Sequence, residues 1–190
     1  MIIVNNINNF FKNSAIVFVD SRINGKNIVK SNDLVFFVDD KKRIQSINVL
    51  NSDKYNLNNK KFYTTDLNSL DLIKKEAEKN GLVFEFSQKF IYVKITKRIE
   101  HPKSNKLFII TVNDGNKEFD LVTNTLDSEV GKVVVMALPG SVTFAGTKVL
   151  NGKIMDIESP GMLAGYKTLS INKEGLIFGE ESQIGKDFII

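Results

Sequence analysis

The run Phe90-Ile91-Tyr92-Val93-Lys94-Ile95-Thr96-Lys97-Arg98 is dense in β-branched and aromatic residues, which suit a pleated, half-buried surface. It reads as a strand, and four more runs of the same character follow it: Lys106–Val112, Glu118–Asn124, Lys132–Leu138 and Gly152–Ile157. Turn chemistry separates them. His101-Pro102, Asn113-Asp114-Gly115-Asn116, Ser128–Gly131, Pro139-Gly140 and Ser159-Pro160-Gly161 are rich in residues that set or tolerate tight backbone angles. Five short strands with intervening loops in so short a stretch predict a small closed barrel.

The first half has a different rhythm. Ile2–Val4, Ala15–Val19 and Leu34–Val38 are short apolar runs. Asp39-Asp40-Lys41-Lys42 then precedes Arg43–Leu50, where apolar Ile44, Ile47 and Val49 recur, and the pair reads as a hairpin. Phe62-Tyr63 adds another strand candidate. Over Thr65–Asn80 the period changes: Leu67, Leu70, Ile73 and Ala77 fall on one face of a helix. Thr65 or Asp66 is placed to cap its start, and Gly81 to stop it. The boundary between the halves falls near Phe86–Lys89.

Composition narrows the chemistry. The 190 residues are 42% hydrophobic, ordinary for a folded chain. No apolar run approaches the roughly 20 residues of a membrane span. Met1–Phe10 lacks a basic leader and a small-residue cleavage site, so a secretory signal is not expected. With no cysteine and one histidine, His101, thiolate chemistry and multi-histidine metal sites are excluded. There is no phosphate-binding glycine loop, dinucleotide fingerprint or nucleophile elbow. Acidic pairs such as Asp39-Asp40 and Glu180-Glu181 are consecutive and point apart in extended chain. No catalytic residue, metal or cofactor is expected. The net charge of +4 lies entirely in residues 1–89; residues 90–190 carry equal numbers of basic and acidic groups.

Three segments carry a signature: His101-Pro102-Lys103-Ser104-Asn105-Lys106-Leu107, then Val133-Val134-Val135-Met136-Ala137-Leu138-Pro139-Gly140-Ser141, then Ser159-Pro160-Gly161-Met162-Leu163. Together they resemble the OB-fold tRNA-binding domain family, found in the phenylalanyl-tRNA synthetase β subunit, at the methionyl-tRNA synthetase C-terminus, and as free-standing YtpR-like bacterial proteins. Gly175-Leu176-Ile177-Phe178, Gly185 and Phe188 are similar to the ending of the free-standing form, and Ser46–Asn51 to part of its N-terminal domain. The fold expected is an α+β N-terminal domain over residues 1–87 followed by an all-β OB-fold barrel over residues 88–190.

The resemblance implies a cytoplasmic, non-catalytic translation protein that binds tRNA by shape, through phosphates and sugars. On that reading Lys106 neutralises a phosphate, Asn105 bonds phosphate or sugar, Ser159 donates to a phosphate, and Met162 offers an apolar contact. Lys103, Lys148 and Lys153 are further basic candidates. The bland alternatives are a lysine stem covering apolar surface, a serine bracing its turn and a methionine packed beside Leu163. Partners implied are tRNA and an aminoacyl-tRNA synthetase or other translation protein, with a homodimer open and no membrane.

Two strings depart from the family pattern. Thr123-Asn124-Thr125-Leu126-Asp127 lacks the usual glycine, and Met155-Asp156 stands where Arg-Gly is usual. They favour an alternative, a protein-interaction module whose barrel has lost most RNA affinity.

Overall fold

The computed structural model describes residues 1–190, which divide into two compact units. The first comprises Met1–Ser87 with Gly140–Lys148 and Ile189–Ile190; the second comprises Gln88–Pro139 and Val149–Phe188.

The first unit is a six-stranded antiparallel sheet. Its strands are β1 (Ile2–Asn6), β2 (Ala15–Phe18), β3 (Asn27–Ser31), β4 (Leu34–Val38), β5 (Ile44–Val49) and β6 (Phe62–Thr65). They lie in the order β3-β4-β5-β2-β1-β6. Alternation sets the inner face: Leu34, Phe36 and Val38 are buried, while Val35 and Phe37 between them are only partly so. One helix, α1 (Asp71–Lys79), contributes Ile73 and Ala77 to the same core as Ile2, Val4, Val17 and Phe36. A 3₁₀ turn at Asn68–Leu70 leads into it, and the Asp66 carboxylate just ahead of that turn accepts the Ser69 N–H at 2.8 Å. Gly81 ends it at φ +65°, a left-handed angle that suits glycine. Residues 140–148 fold with this sheet: Ser21 Oγ donates to the Ser141 carbonyl at 2.9 Å, and Phe144 meets Phe62 edge-on at 5.8 Å.

The second unit is also antiparallel β. Its strands are β7 (Phe90–His101), β8 (Ser104–Asn113), β9 (Glu118–Thr123), β10 (Val133–Ala137), β11 (Asn151–Ile154), β12 (Ile157–Pro160), β13 (Met162–Leu163) and β14 (Phe178–Gly179). The main sheet runs β13-β10-β7-β8-β9, with β14 also on β10; β11 and β12 pair as a separate hairpin. Its core gathers Ile91, Val93, Ile95, Ile110, Val112, Leu121, Val134 and Met136.

These observations correct the expected fold class, an α+β N-terminal domain followed by an all-β OB-fold barrel. The chain is nearly all β, in several antiparallel sheets, and no distinct α+β N-terminal domain exists. The helical period over Thr65–Asn80 yields nine helical residues, because its first turns form a loop and a 3₁₀ turn instead. β3 carried no sequence signal because it is an edge strand with no buried residue.

Candidate nucleic-acid interface

In the second unit the β7–β8 connection is tighter than the turn chemistry predicts. His101 pairs with Ser104, leaving only Pro102 and Lys103 at the tip. His101 is buried, and its Nδ1 accepts the Lys103 N–H at 3.1 Å. The lone histidine is thereby a brace for the hairpin that carries Lys103. Lys103, Asn105 and Lys106 all lie exposed along this tip.

The β11–β12 hairpin stands beside it. Ile154 pairs with Ile157 across a two-residue turn made by Met155 (φ +47°) and Asp156 (φ +73°). Two consecutive left-handed residues give the turn whose twist matches that of paired strands, normally a role for Asn or Gly. Asp156 reaches the tip of the first hairpin and pairs with the Lys103 ammonium at 2.5 Å. Lys153, opposite Glu158 in register, approaches that carboxylate at 3.9 Å. Both pairs are exposed, so solvent weakens them and an incoming anion can displace the carboxylates. Lys106 takes part in none of the ion pairs.

Between these hairpins and β9 lies an open groove of about 470 Å³. Leu107, Ile154 and Met162 give it apolar walls, and Asn124 and Thr125 give it polar ones. Met162 is thus half-buried in the groove wall rather than fully packed in the core.

Ser159 has a different fate. It is buried, accepts the Val122 N–H at 3.2 Å and donates to the Gly161 carbonyl at 3.4 Å. Its hydroxyl ties β12 to β9 and is already engaged. Gly161 follows at φ +132°, where a Cβ would lie 2.4 Å from Met136 Cε and 2.6 Å from the Ala137 carbonyl oxygen. The third motif thus presses against the second because one residue in it has no side chain.

Of the expected residues, the structure groups Lys103, Asn105, Lys106, Lys153 and Met162 around the two hairpins and the groove. Ser159 lies beneath them. Lys148 folds with the first unit. Sequence reading missed Arg98, whose guanidinium stacks 3.8 Å from the Phe108 ring centre. The signal is faint in sequence, since the two residues meet only through the β7–β8 register that sets Arg98 opposite Ile110.

Residues 90–187 match the family described as "Putative tRNA binding domain". The phenylalanine–tRNA ligase β subunit of Chlamydia pneumoniae is 33% identical over 112 residues, 56% of this chain and 14% of that protein. The "Putative tRNA-binding protein YtpR" of Bacillus subtilis is 25% identical over 109 residues, 57% of this chain and 53% of that protein. A crystal structure of a MetRS-related protein from Pyrococcus horikoshii superposes loosely, with TM-score 0.39 and 21% identity, over 67% of this chain and 97% of that one. The match therefore spans about half of YtpR and a small part of the ligase subunit. The family match takes in more than half of the 190 residues, and the chain belongs to the tRNA-binding domain family.

Proposed function

We propose that this chain is a non-catalytic tRNA-binding protein whose second unit grips RNA through phosphate and sugar contacts. The observation that carries this reading is the cluster of exposed lysines around two adjacent hairpin tips. Lys106 is unpaired, and Lys103 and Lys153 are held only by exposed carboxylates. A backbone phosphate carries one negative charge, as each carboxylate does, but RNA presents such charges in a close row and binding them releases condensed counterions. Asn105 adds an amide with both donors and an acceptor for ribose or phosphate. Met162 and Ile154 offer apolar contact to a sugar face. Ser159 acts through the fold, by holding β12 on β9.

The surroundings of the one histidine support the non-catalytic character, because His101 is buried and bonded as a turn brace. Relatives named as a phenylalanine–tRNA ligase subunit and a tRNA-binding protein support tRNA as the partner; an aminoacyl-tRNA synthetase or another translation protein as associate, and a cytoplasmic location, belong to the same proposal.

The test is titration of the full chain into labelled tRNA at several salt concentrations, with a plain RNA duplex as control. Binding that prefers tRNA and weakens by roughly 0.7 to 0.9 log units per phosphate contact supports the reading. Lys106→Ala then lowers that slope by about one contact. Absence of tRNA binding at low salt defeats it. The second reading, a protein-interaction module, is favoured by one observation: Asp156 and Glu158 partly cancel the interface lysines. It predicts that removing those carboxylates leaves tRNA binding absent.

A further inference from the structure

The first unit carries a basic, aromatic surface that the tRNA-binding domain does not account for. The loop between β1 and β2 holds Phe10 and Phe11, exposed at 80% and 66%. Most large apolar side chains avoid such exposure, and two adjacent ones mark a contact surface. The loop is built to present them. Phe10 and Phe11 N–H groups both donate to the Ile7 carbonyl, at 2.8 and 3.0 Å, and Ser14 N–H donates to Asn8 Oδ1 at 2.9 Å. Hydrogen bonds thus close the loop while both rings face outward.

A second loop lies against it. Asn58 Oδ1 accepts from the Asn6 and Asn8 amides at 2.6 and 3.2 Å, and Asn6 N–H donates to the Lys61 carbonyl at 2.8 Å. This brings Lys60 and Lys61 beside the loop that carries Lys12. Lys61 also stands over the Phe144 ring, 4.6 Å from its centre, and Lys148 ends the same short segment as Phe144. None of Lys12, Lys60, Lys61 and Lys148 is in an ion pair. Residues 1–19, 54–65 and 140–148 contain no Asp or Glu; the one acid of the second loop, Asp53, accepts from the Asn58 amide and is in no ion pair. Elsewhere in this unit Arg43 is answered by Asp39 and Glu85, Lys74 by Glu78 and Lys75 by Asp71, while Lys30, Lys41 and Lys42 are also outside any ion pair but have no pair of exposed aromatic rings in their own loop.

Uncompensated lysines beside exposed aromatic rings suit an unpaired nucleic-acid strand. Cations hold its phosphates and rings stack on its bases, while the asparagine side chains hold the two loops together. We propose that the β1–β2 loop and its neighbour form a second RNA site, for unpaired nucleotides, with Phe10 and Phe11 as stacking platforms and Lys12, Lys60 and Lys61 on the backbone. This rests on the RNA-binding reading only in taking RNA as the polyanion; its residues are separate.

The experiment uses the full chain with a fluorescent twelve-nucleotide oligouridylate and, in parallel, tRNA. Wild type should bind the oligouridylate in a salt-dependent manner. Phe10→Ala/Phe11→Ala should weaken that binding roughly tenfold or more, as expected for lost base stacking. Lys60→Ala/Lys61→Ala should flatten its salt slope by about 0.7 per lysine. All four side chains are exposed, so circular dichroism should be unchanged. Lys103→Ala/Lys106→Ala should spare oligouridylate binding and weaken tRNA binding. If oligouridylate affinity is insensitive to the phenylalanine pair, or falls with Lys103 and Lys106 instead, the site is refuted. Phenylalanine-dependent sedimentation with phosphatidylserine vesicles, without oligouridylate binding, also overturns it in favour of a membrane surface. If the phenylalanine pair matters while Lys103→Ala/Lys106→Ala leaves tRNA binding intact, this site stands and the proposed interface of the second unit fails.

Discussion

The carboxylate of Asp156, at the tip of one hairpin, holds the ammonium of Lys103, at the tip of another, although 53 residues separate them in sequence. An acidic residue thereby masks a lysine of the proposed RNA surface, and it does so from a backbone position that strains any residue other than Gly, Asn or Asp.

Asp156→Asn keeps a side chain that tolerates the left-handed turn and removes the charge. It should raise tRNA affinity severalfold at low salt, and the salt slope should steepen by about one contact as Lys103 becomes available. The measurement is a salt-dependent tRNA titration of both proteins. An unchanged slope would show that the Asp156 carboxylate does not withhold Lys103 from phosphate.

Ser159→Ala separates bracing from binding. The buried Val122 N–H would lose its acceptor, at a cost of about 1–3 kcal/mol. Chemical denaturation should show that loss, while tRNA affinity of the folded variant stays at the wild-type value. A stable variant with weakened tRNA binding would instead make the hydroxyl an RNA contact.

Gly161→Ala should be more damaging. The new methyl would lie within 2.6 Å of both Met136 Cε and the Ala137 carbonyl oxygen, at a φ that L-residues rarely adopt. A loss above about 2 kcal/mol is expected from overpacking and backbone strain together. Denaturation midpoints check it, and retention of wild-type stability would mean that β13 shifts away from β10 at little cost.

Glu76 ties α1 to the β3–β4 turn. The Ser31 hydroxyl donates to its carboxylate at 2.5 Å and Lys79 donates at 3.2 Å, and these bonds hold its carboxyl below the usual 4.5. A group whose folded value is depressed adds stability above its unfolded value and loses it as pH falls through the folded one. Glu76→Gln should therefore be less stable than wild type at neutral pH, and the gap should close below about pH 4.5. Thermal unfolding across that range is the check; a gap constant with pH would assign the effect to shape rather than charge.

Much of the strand layout was legible because burial writes itself into alternation. Phe90–Arg98 and Leu34–Val38 show it, and α1 shows the helical equivalent in Ile73 and Ala77. β3 left no trace because an exposed edge strand buries nothing. The nine-residue length of α1 was also hidden, since Leu67 and Leu70 keep the helical spacing while their backbone is a loop and a 3₁₀ turn.

By itself the sequence determined the strands with one buried face, the family-like motifs and the absence of thiol chemistry, because these depend on residue type and short-range spacing. Only the tertiary structure decided which lysines are masked and which stand bare, that Ser159 braces a strand, and that residues 140–148 fold with the first unit. Those outcomes depend on groups far apart along the chain meeting at hydrogen-bonding distance. Strand register and turn geometry fix such meetings, and residue spacing in the sequence does not encode them.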